Sequence, residues 1–481
     1  MFPWQSAQSS PQMFLQPQHL HFTGIGGIGM SGIAEILLQL GFTISGSDLK
    51  LSPITERLSR LGARIYQGHD PAHVAGARAL VVSSAVPPDN PEVLEARRLQ
   101  IPVISRGEML AELMRLKFGV AVAGSHGKTT TTSMLATVLE KAGLDPTVVV
   151  GGRLQAFGGS NARIGRSVLL VVEADESDGS FLKLAPIVAL VTNIDREHLD
   201  HYRSLEQILE AFTEFVNRTP FYGAAVLCLD DENVQKMLPR VRRRAVTYGT
   251  GAQADLEIAG AEAAQFSSRF RLRWRGQDLG EFHLQVPGLH NVLNAAGAAA
   301  AGLELGVQPD VIRQALAAFQ GVERRFQVRG EVAGITVIDD YGHHPAEIRA
   351  TLAAARSCGY RRVLVLFQPH RYTRTFHLME EFARSFYEAD AVFVLDIYAA
   401  SEPPIEGVHA SVLAARVASH GHRRVLYVGG IEQAVEAALH EARAGDAVLT
   451  LGAGNVWQAG ERLLEELRRR QSDGTYSRCL P

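Results

Sequence analysis

The stretch Gly124-Ser125-His126-Gly127-Lys128-Thr129-Thr130 holds the residue types of this chain that most directly promise chemistry. It follows an apolar run that reads as a strand, and a helix is expected over 131–142. In a turn of that kind, backbone N–H groups cradle phosphates and the Lys128 ammonium neutralises β- and γ-oxygens. The Thr129 hydroxyl can ligate Mg²⁺. The pattern departs from G-x-x-x-x-G-K-[ST], because Val122 stands where the first glycine would be. The working parts remain, and ATP is the expected ligand.

Downstream, the apolar strand ending at Val172 runs into Glu173-Ala174-Asp175-Glu176-Ser177-Asp178, and another delivers Thr192-Asn193-Ile194-Asp195 and then His198. Carboxylates at the carboxyl end of a parallel strand lie beside such a phosphate loop. Thr129, Glu173 and His198 are therefore the expected holders of a hard cation, Mg²⁺ or Mn²⁺, against the γ-phosphate.

A second glycine loop lies near the start. Gly24, Gly26 and Gly29, with Gly27 between them, fit G-x-G-x-x-G in a strand–loop–helix context, and Asp48 falls where a ribose-hydroxyl acceptor is expected. Such a loop brings a diphosphate close to a helix N-terminus. On its own it indicates a dinucleotide or a nucleotide-sugar diphosphate, with NAD the usual occupant.

Three further constellations stand at expected strand or helix ends. Gly288-Leu289-His290-Asn291-Val292-Leu293-Asn294 opens an alanine-rich helix, where Asn291 could equally be a cap. Asp339-Asp340-Tyr341-Gly342-His343-His344-Pro345 leaves a strand, as does Gln368-Pro369-His370-Arg371-Tyr372-Thr373-Arg374-Thr375. Aromatic, histidine and arginine groups there suit a small carboxylate-bearing substrate, since guanidinium grips carboxylates in bidentate fashion.

These loops need elements to position them, and alternation of strand and helix supplies them for most of the length. In the first module a strand from Leu20 feeds the glycine loop, a helix ends near Leu40, and a strand at 42–45 delivers Asp48. A strand at 79–83 and helices at 91–99 and 107–116 follow, with Lys117-Phe118-Gly119 closing the module. Strands at 120–123, 168–172, 187–191 and 225–229 suit a central sheet. Alternating runs between 255 and 286 read as antiparallel strands, ahead of a helix at 291–305. The last module has strands at 336–338, 363–367 and 391–395 and helices at 345–356 and 379–387. The expected fold is α/β in three domains: a Rossmann-like module over 19–117, a P-loop ATPase-like centre over 118–320 with a parallel sheet plus a small antiparallel sheet, and a Rossmann-like module over 321–481.

At 481 residues the chain is too long for one ordinary core. With 46% hydrophobic and 21% charged residues it has the balance of a soluble globular protein. A formal charge of −3 gives no general reason to expect nucleic acid or anionic membrane as a partner. Cys228, Cys358 and Cys479 have no paired spacing, which argues against a disulfide framework and a structural zinc site. Residues 1–18 are rich in Gln, Ser and Pro, lack the form of a secretory signal and read as a flexible tail. With no apolar run long enough to span a bilayer, a cytoplasmic protein is expected.

In order and number, these motifs resemble the Mur ligase family from about His21 to about Leu464. The resemblance rests on Gly24 to Gly32, Ser83-Ser84-Ala85-Val86, Arg106, Gly124 to Thr130, Glu173 to Ser177, His198 and Gly288 to Asn294. It continues through Arg324-Arg325-Phe326, Asp339 to Pro345, Gln368 to Thr375, Asp396-Ile397-Tyr398 and Gly452-Ala453-Gly454-Asn455. It implies an ATP-dependent ligase of cell-wall precursor synthesis that works through an acyl phosphate. The first loop, with Ser83, Ser84 and Arg106, would then hold a UDP-muramoyl substrate rather than NAD. The ATP site would extend to His290, Asn291, Asn294, Arg325 and Asp340. Tyr341, His343, Arg371 and Arg374 would hold the incoming amino acid, with Lys128, Glu173, His198 and His343 as the catalytic groups.

Within the family, Asp-Tyr-Gly-His-His-Pro and Phe-Gln-Pro-His-Arg-Tyr-Thr-Arg are similar to the branch that joins L-alanine to UDP-N-acetylmuramate. Other branches carry a carbamylated lysine about fifteen residues beyond the metal-binding histidine, where this chain has Phe212-Thr213-Glu214. Gly107 stands where the resemblance leads one to expect alanine. The resemblance also implies closure of the outer domains over the central one, and a monomer or homodimer.

Overall fold

The structure, a computed structural model, describes residues 18–83, 85–154, 160–198 and 201–472. The first sheet has five parallel strands, β1 (His19–Thr23), β2 (Thr43–Asp48), β3 (Arg64–Gln67), β4 (Ala79–Val82) and β5 (Val103–Ser105), in the order β3-β2-β1-β4-β5. Helices α1 (Ile28–Gln39), α2 (Pro53–Arg60) and α3 (Pro91–Arg98) lie between strands of this sheet, and α4 (Arg106–Arg115) follows β5 and leads to the second sheet. Serine caps set two of these starts. Ser52 and Ser105 each accept from the backbone three residues on, and Thr55 and Glu108 return the bond. β2 runs on to Asp48, three residues past the expected strand end, so the carboxylate sits on the strand itself.

The second sheet has ten strands. β6 (Phe118–Ala123), β7 (Thr147–Leu154), β8 (Ser160–Arg163), β9 (Leu169–Glu173), β10 (Val188–Val191), β11 (Ala224–Cys228) and β12 (Ala245–Gly249) precede β13 (Leu256–Ala264), β14 (Ser267–Trp274) and β15 (Gln277–Leu284). Their order is β15-β14-β13-β12-β11-β10-β6-β9-β7-β8. The central strands are parallel and covered on both faces, which is why β6, β10 and β11 are almost wholly apolar. Phe118 and Gly119, expected to close the first module, belong to β6. In β14, burial alternates along Phe270-Arg271-Leu272-Arg273, as one-sided packing requires. The helices are α5 (Lys128–Lys141), α6 (Leu205–Asn217), α7 (Glu232–Met237), α8 (Leu289–Glu304) and α9 (Pro309–Ala318).

The third sheet joins β16 (Gln327–Val332), β17 (Ile335–Asp340), β18 (Arg362–Phe367), β19 (Ala391–Leu395), β20 (Val425–Gly429) and β21 (Asp446–Leu451) in the order β16-β17-β21-β18-β19-β20, parallel except for β16. Its helices are α10 (Pro345–Ser357), α11 (Tyr372–His377), α12 (Met379–Ala383), α13 (Ala410–Ser419), α14 (Ile431–Glu441) and α15 (Trp457–Ser472). The helix expected at 379–387 ends at Ala383, and a separate helix, α11, occupies what reads as a loop in the sequence.

The chain divides into two compact units, one of residues 1–259, 271–282 and 293–319, the other of residues 260–270, 283–292 and 320–481. Within the first unit, α4 packs closely on the turn that ends at Ser180. A Cβ built on Gly107 would lie 2.4 Å from the Ser180 Cβ. Cys228 and Cys358 are buried free thiols. Cys479 lies outside the described residues, as do residues 1–17 of the expected tail. No helix among the described residues is long and apolar enough to cross a membrane.

Candidate active site

The loop between β6 and α5 turns on Gly127, whose φ of +81° is a left-handed conformation open to glycine at little cost. The end of β10 braces it. Asn193 Oδ1 accepts from His126 N at 2.8 Å, Thr192 Oγ1 donates to His126 O at 2.6 Å, and Asp195 N donates to Ser125 Oγ at 2.7 Å. His126 Nε2 lies 3.0 Å from Asp195 Oδ2. Asn294 belongs to the same constellation, accepting from Thr131 Oγ1 at 3.2 Å, and Thr130 is buried on α5. The expected loop residues Gly124 to Thr130 and Asn294 are thus brought together.

Lys128 and Thr129 each meet a carboxylate from the end of β9. Thr129 Oγ1 lies 3.0 and 2.9 Å from the two oxygens of Glu173, which also accepts from Gly151 N at 2.7 Å. Lys128 Nζ donates to Glu176 Oε1 at 2.8 Å and to Ser125 O at 3.1 Å. Burial pulls the ammonium pKa down, but Glu176 and Glu197 outweigh it and hold the group above its ordinary value.

His198 sits beside Glu176, at 3.5 Å, and Glu197, at 3.9 Å, with its backbone at φ +54°, a strained setting for a non-glycine residue. Burial lowers its pKa, and the hydrogen bond to Glu176 together with the negative charges of Glu197 and Glu176 more than compensates, for a net rise. Ligand atoms of Glu176, Glu197 and His198 all lie within 4.8 Å of one another. Glu176 Oε2 is buried without a hydrogen-bond partner among the described residues, an arrangement that fits a hard divalent cation. The expected trio therefore divides. Thr129 pairs with Glu173, while His198 keeps company with Glu176 and Glu197, two carboxylates that sequence reasoning did not single out.

The glycine loop after β1 closes onto the end of β2. Gly24 N and Ile25 N donate to Ser47 O at 2.8 and 3.1 Å, and Gly26 N donates to Asp48 Oδ2 at 2.9 Å. Gly27 begins α1 without a side-chain cap. Ser83 stands beside Gly24, and the Arg106 stem lies against Gly29, where a Cβ would come within 3.0 Å of it. Arg106 Nη2 pairs with Asp175 Oδ2 at 2.9 Å, which links the first sheet's helices to the carboxylate run after β9. Burial raises the Asp175 pKa, and Arg106 and Lys128 overcome it, leaving it below its ordinary value. Ser84 lies outside the described residues.

The second unit gathers the remaining candidates. Asp340 accepts from Phe326 N and Gly342 N, both at 2.7 Å, yet burial leaves its pKa above the usual value. Arg325 pairs with Glu347 at 3.2 Å and stacks over Tyr341 at 5.2 Å. Asn291 is no cap: α8 begins at Leu289, and the Asn291 amide donates to Pro287 O at 2.7 Å. Burial first, and then Arg325, push His290 down to about 4. A chain of rings runs from Tyr341 to His343 (5.4 Å), His370 (5.7 Å) and Tyr398 (5.6 Å, stacked). Arg374 Nη1 approaches His370 Nδ1 at 3.2 Å. Arg371, at φ +70°, precedes α11, its backbone N–H bonded to Tyr398 O. The four residues expected to hold an amino acid thus cluster at the carboxyl edge of one sheet.

Three α/β sheets, with a phosphate-type loop on the middle one, define a multidomain nucleotide-utilising class of protein. The family description "Mur ligase family, catalytic domain" matches residues 19–118, "Mur ligase middle domain" residues 122–302, and "Mur ligase, glutamate ligase domain" residues 324–454. The chain belongs to the Mur ligase family. It is 68% identical over 457 residues to the UDP-N-acetylmuramate–L-alanine ligase of Solibacter usitatus, covering 95% of this chain and 97% of that one. It is 56% identical to the enzyme of the same name from Geotalea daltonii, covering 95% and 99%. The crystal structure of UDP-N-acetylmuramate-alanine ligase from Thermotoga maritima superposes with a TM-score of 0.79 at 30% identity, over 95% of this chain and 99% of that chain.

Proposed function

We propose that this protein is an ATP-dependent ligase that joins L-alanine to UDP-N-acetylmuramate, releasing ADP and phosphate, in peptidoglycan precursor synthesis. The observation that carries the reading is the pairing of Lys128 with Glu176 and of Thr129 with Glu173, two carboxylates from one strand end, beside His198. We assign residues 19–117 to the UDP-muramoyl substrate, 118–320 to ATP and 321–481 to alanine. The Gly24–Gly29 loop, Asp48, Ser83 and Arg106 take the nucleotide sugar. The Gly124–Thr130 loop takes the triphosphate, with His290, Asn291, Asn294, Arg325 and Asp340 completing the nucleotide site. Tyr341, His343, Arg371 and Arg374 take alanine.

In the reaction the lactyl carboxylate attacks the γ-phosphorus, ADP leaves, and the acyl phosphate is opened by the neutral amine of alanine with loss of phosphate. Lys128 screens the repulsion between the approaching anions. Thr129, Glu173 and His198, joined by Glu176 and Glu197, would hold Mg²⁺ or Mn²⁺. When bound, the ion supplies charge neutralisation of the transferring phosphoryl group. The amine proton falls to His198 or His343. Arg371 and Arg374 orient the alanine carboxylate so that the amine faces the acyl group.

The test is phosphate release from ATP in the presence of UDP-N-acetylmuramate, screened across single amino acids. L-alanine is expected to stimulate release most strongly. No amino-acid dependence, or release that ignores the nucleotide sugar, would overturn the proposal.

A further inference from the structure

We infer that Glu92, a carboxylate buried beneath the first glycine loop, is a positioning residue for the nucleotide-sugar diphosphate. Glu92 lies in the first turn of α3 and is 0% exposed. Its Oε2 accepts from Thr23 Oγ1 at 2.7 Å and Ser47 Oγ at 2.6 Å. Its Oε1 faces His73 Nδ1 at 2.8 Å, and His21 Nε2 and His69 Nδ1 stand 3.4 and 3.5 Å from Oε2.

The two hydroxyls on Oε2 belong to the residues that flank the loop. Thr23 is the last residue of β1 and precedes Gly24. Ser47 precedes Asp48, and its carbonyl takes the N–H groups of Gly24 and Ile25. One carboxylate oxygen therefore ties the ends of β1 and β2 together at the point where the loop leaves one strand and is fastened to the other. Asp48, in turn, holds Gly26.

Sinking an ion this deep is expensive, and an apolar residue would fill a core at lower cost. Burial pushes the Glu92 pKa up, but the nearby His21 ring and the hydrogen bonds from Ser47, Thr23 and His73 outweigh it and hold it at about 2. The group stays an anion, an acceptor for every neighbour that points at it. Its position in the first turn of α3, with Asn90 accepting from its own N–H at 2.9 Å, adds a favourable helix-end field. What the anion fixes is the spacing of the loop's two anchor points, and through it the direction of the α1 N-terminus.

The inference rests on the proposed use of this loop by UDP-N-acetylmuramate, and the experiment separates the two. Steady-state kinetics are measured for Glu92→Gln, which keeps the shape and loses the charge, and for Ser47→Ala, which removes one tie while leaving Thr23 and His73 on the carboxylate. In both, the KM for UDP-N-acetylmuramate should rise, by about ten-fold in Glu92→Gln. KM for ATP, KM for L-alanine and kcat at saturation should stay within about two-fold. Glu92→Asp, with the charge restored on a shorter arm, should recover part of the loss.

Ser47→Ala carries the test if Glu92→Gln fails to fold. A parallel loss in all three KM values, a fall in kcat alone, or an unchanged nucleotide-sugar KM overturns the inference. Gly26→Ala marks the loop itself, since its Cβ would lie 2.8 Å from Asp48 Oδ2. If Gly26→Ala leaves nucleotide-sugar binding intact, the loop's proposed role has failed. If Gly26→Ala weakens binding while Glu92→Gln does not, only the positioning role has failed.

Discussion

Lys128 touches two backbone carbonyls and Glu176, and its neighbouring carboxylates keep it charged across any working pH. Lys128→Ala should therefore lower alanine-dependent phosphate release by about 10³-fold or more, because charge screening is lost where charge develops. Calorimetric affinity for UDP-N-acetylmuramate should change little. Near-normal turnover would refute the role. Lys128 and Thr129 are legible in the sequence because a contiguous motif fixes their geometry. The carboxylates are only half legible. Glu173, Asp175 and Glu176 sit within four positions of one another, and the strand end alone decides that Glu173 meets Thr129 while Glu176 meets Lys128. Glu197 lacks any spacing signal. Glu92 carries no signal of its own in the sequence, and only the register of β1 against β2, which sets Thr23 beside Ser47, brings their hydroxyls to its carboxylate.

Elements announced by periodicity, such as α3, α10 and the strands of the central sheet, fall within a residue or two of their expected bounds. The failure at α11 is instructive. Its start is set by Arg371 in a left-handed conformation, bonded to the Tyr398 carbonyl, and local composition gives no sign of a tertiary anchor of that kind. The same edge of the third sheet carries His370, pushed to about 4 by burial and then by Arg374 and Arg371, and His290 in the same compact unit is similarly low. Both imidazoles fold in the neutral form. The unfolded chain binds more protons than the native one between about pH 6.5 and 4, so stability is complete above that window and declines as pH falls through it. The decline should amount to roughly 1–3 kcal/mol per imidazole. Thermal unfolding from pH 7.5 to 4 should show it, with a smaller slope for His370→Gln. Equal slopes would contradict the assignment.

Three sheets in succession, each with ligand-type loops at strand carboxyl ends, match a reaction that gathers three small molecules. The order of modules is readable because each repeats the same strand–helix alternation, while the contact of the first module with the second depends on side chains as far apart in sequence as Arg106 and Asp175. If a mixed anhydride forms, ¹⁸O placed in the lactyl carboxylate of UDP-N-acetylmuramate should appear in the phosphate released. Phosphate free of label would dismiss the acyl-phosphate route. One small feature governs how two of these modules meet. Position 107 behaves as a shim of zero thickness: helix α4 rests directly on the Ser180 turn, and a single methyl would need about one ångström of extra clearance to reach ordinary contact. The same helix start carries Arg106 to Asp175, so any such lift would slacken the tether between the sugar-side helices and the acidic strand end. The alanine that family resemblance leads one to expect there is, for this chain, a spacer it has no room to insert.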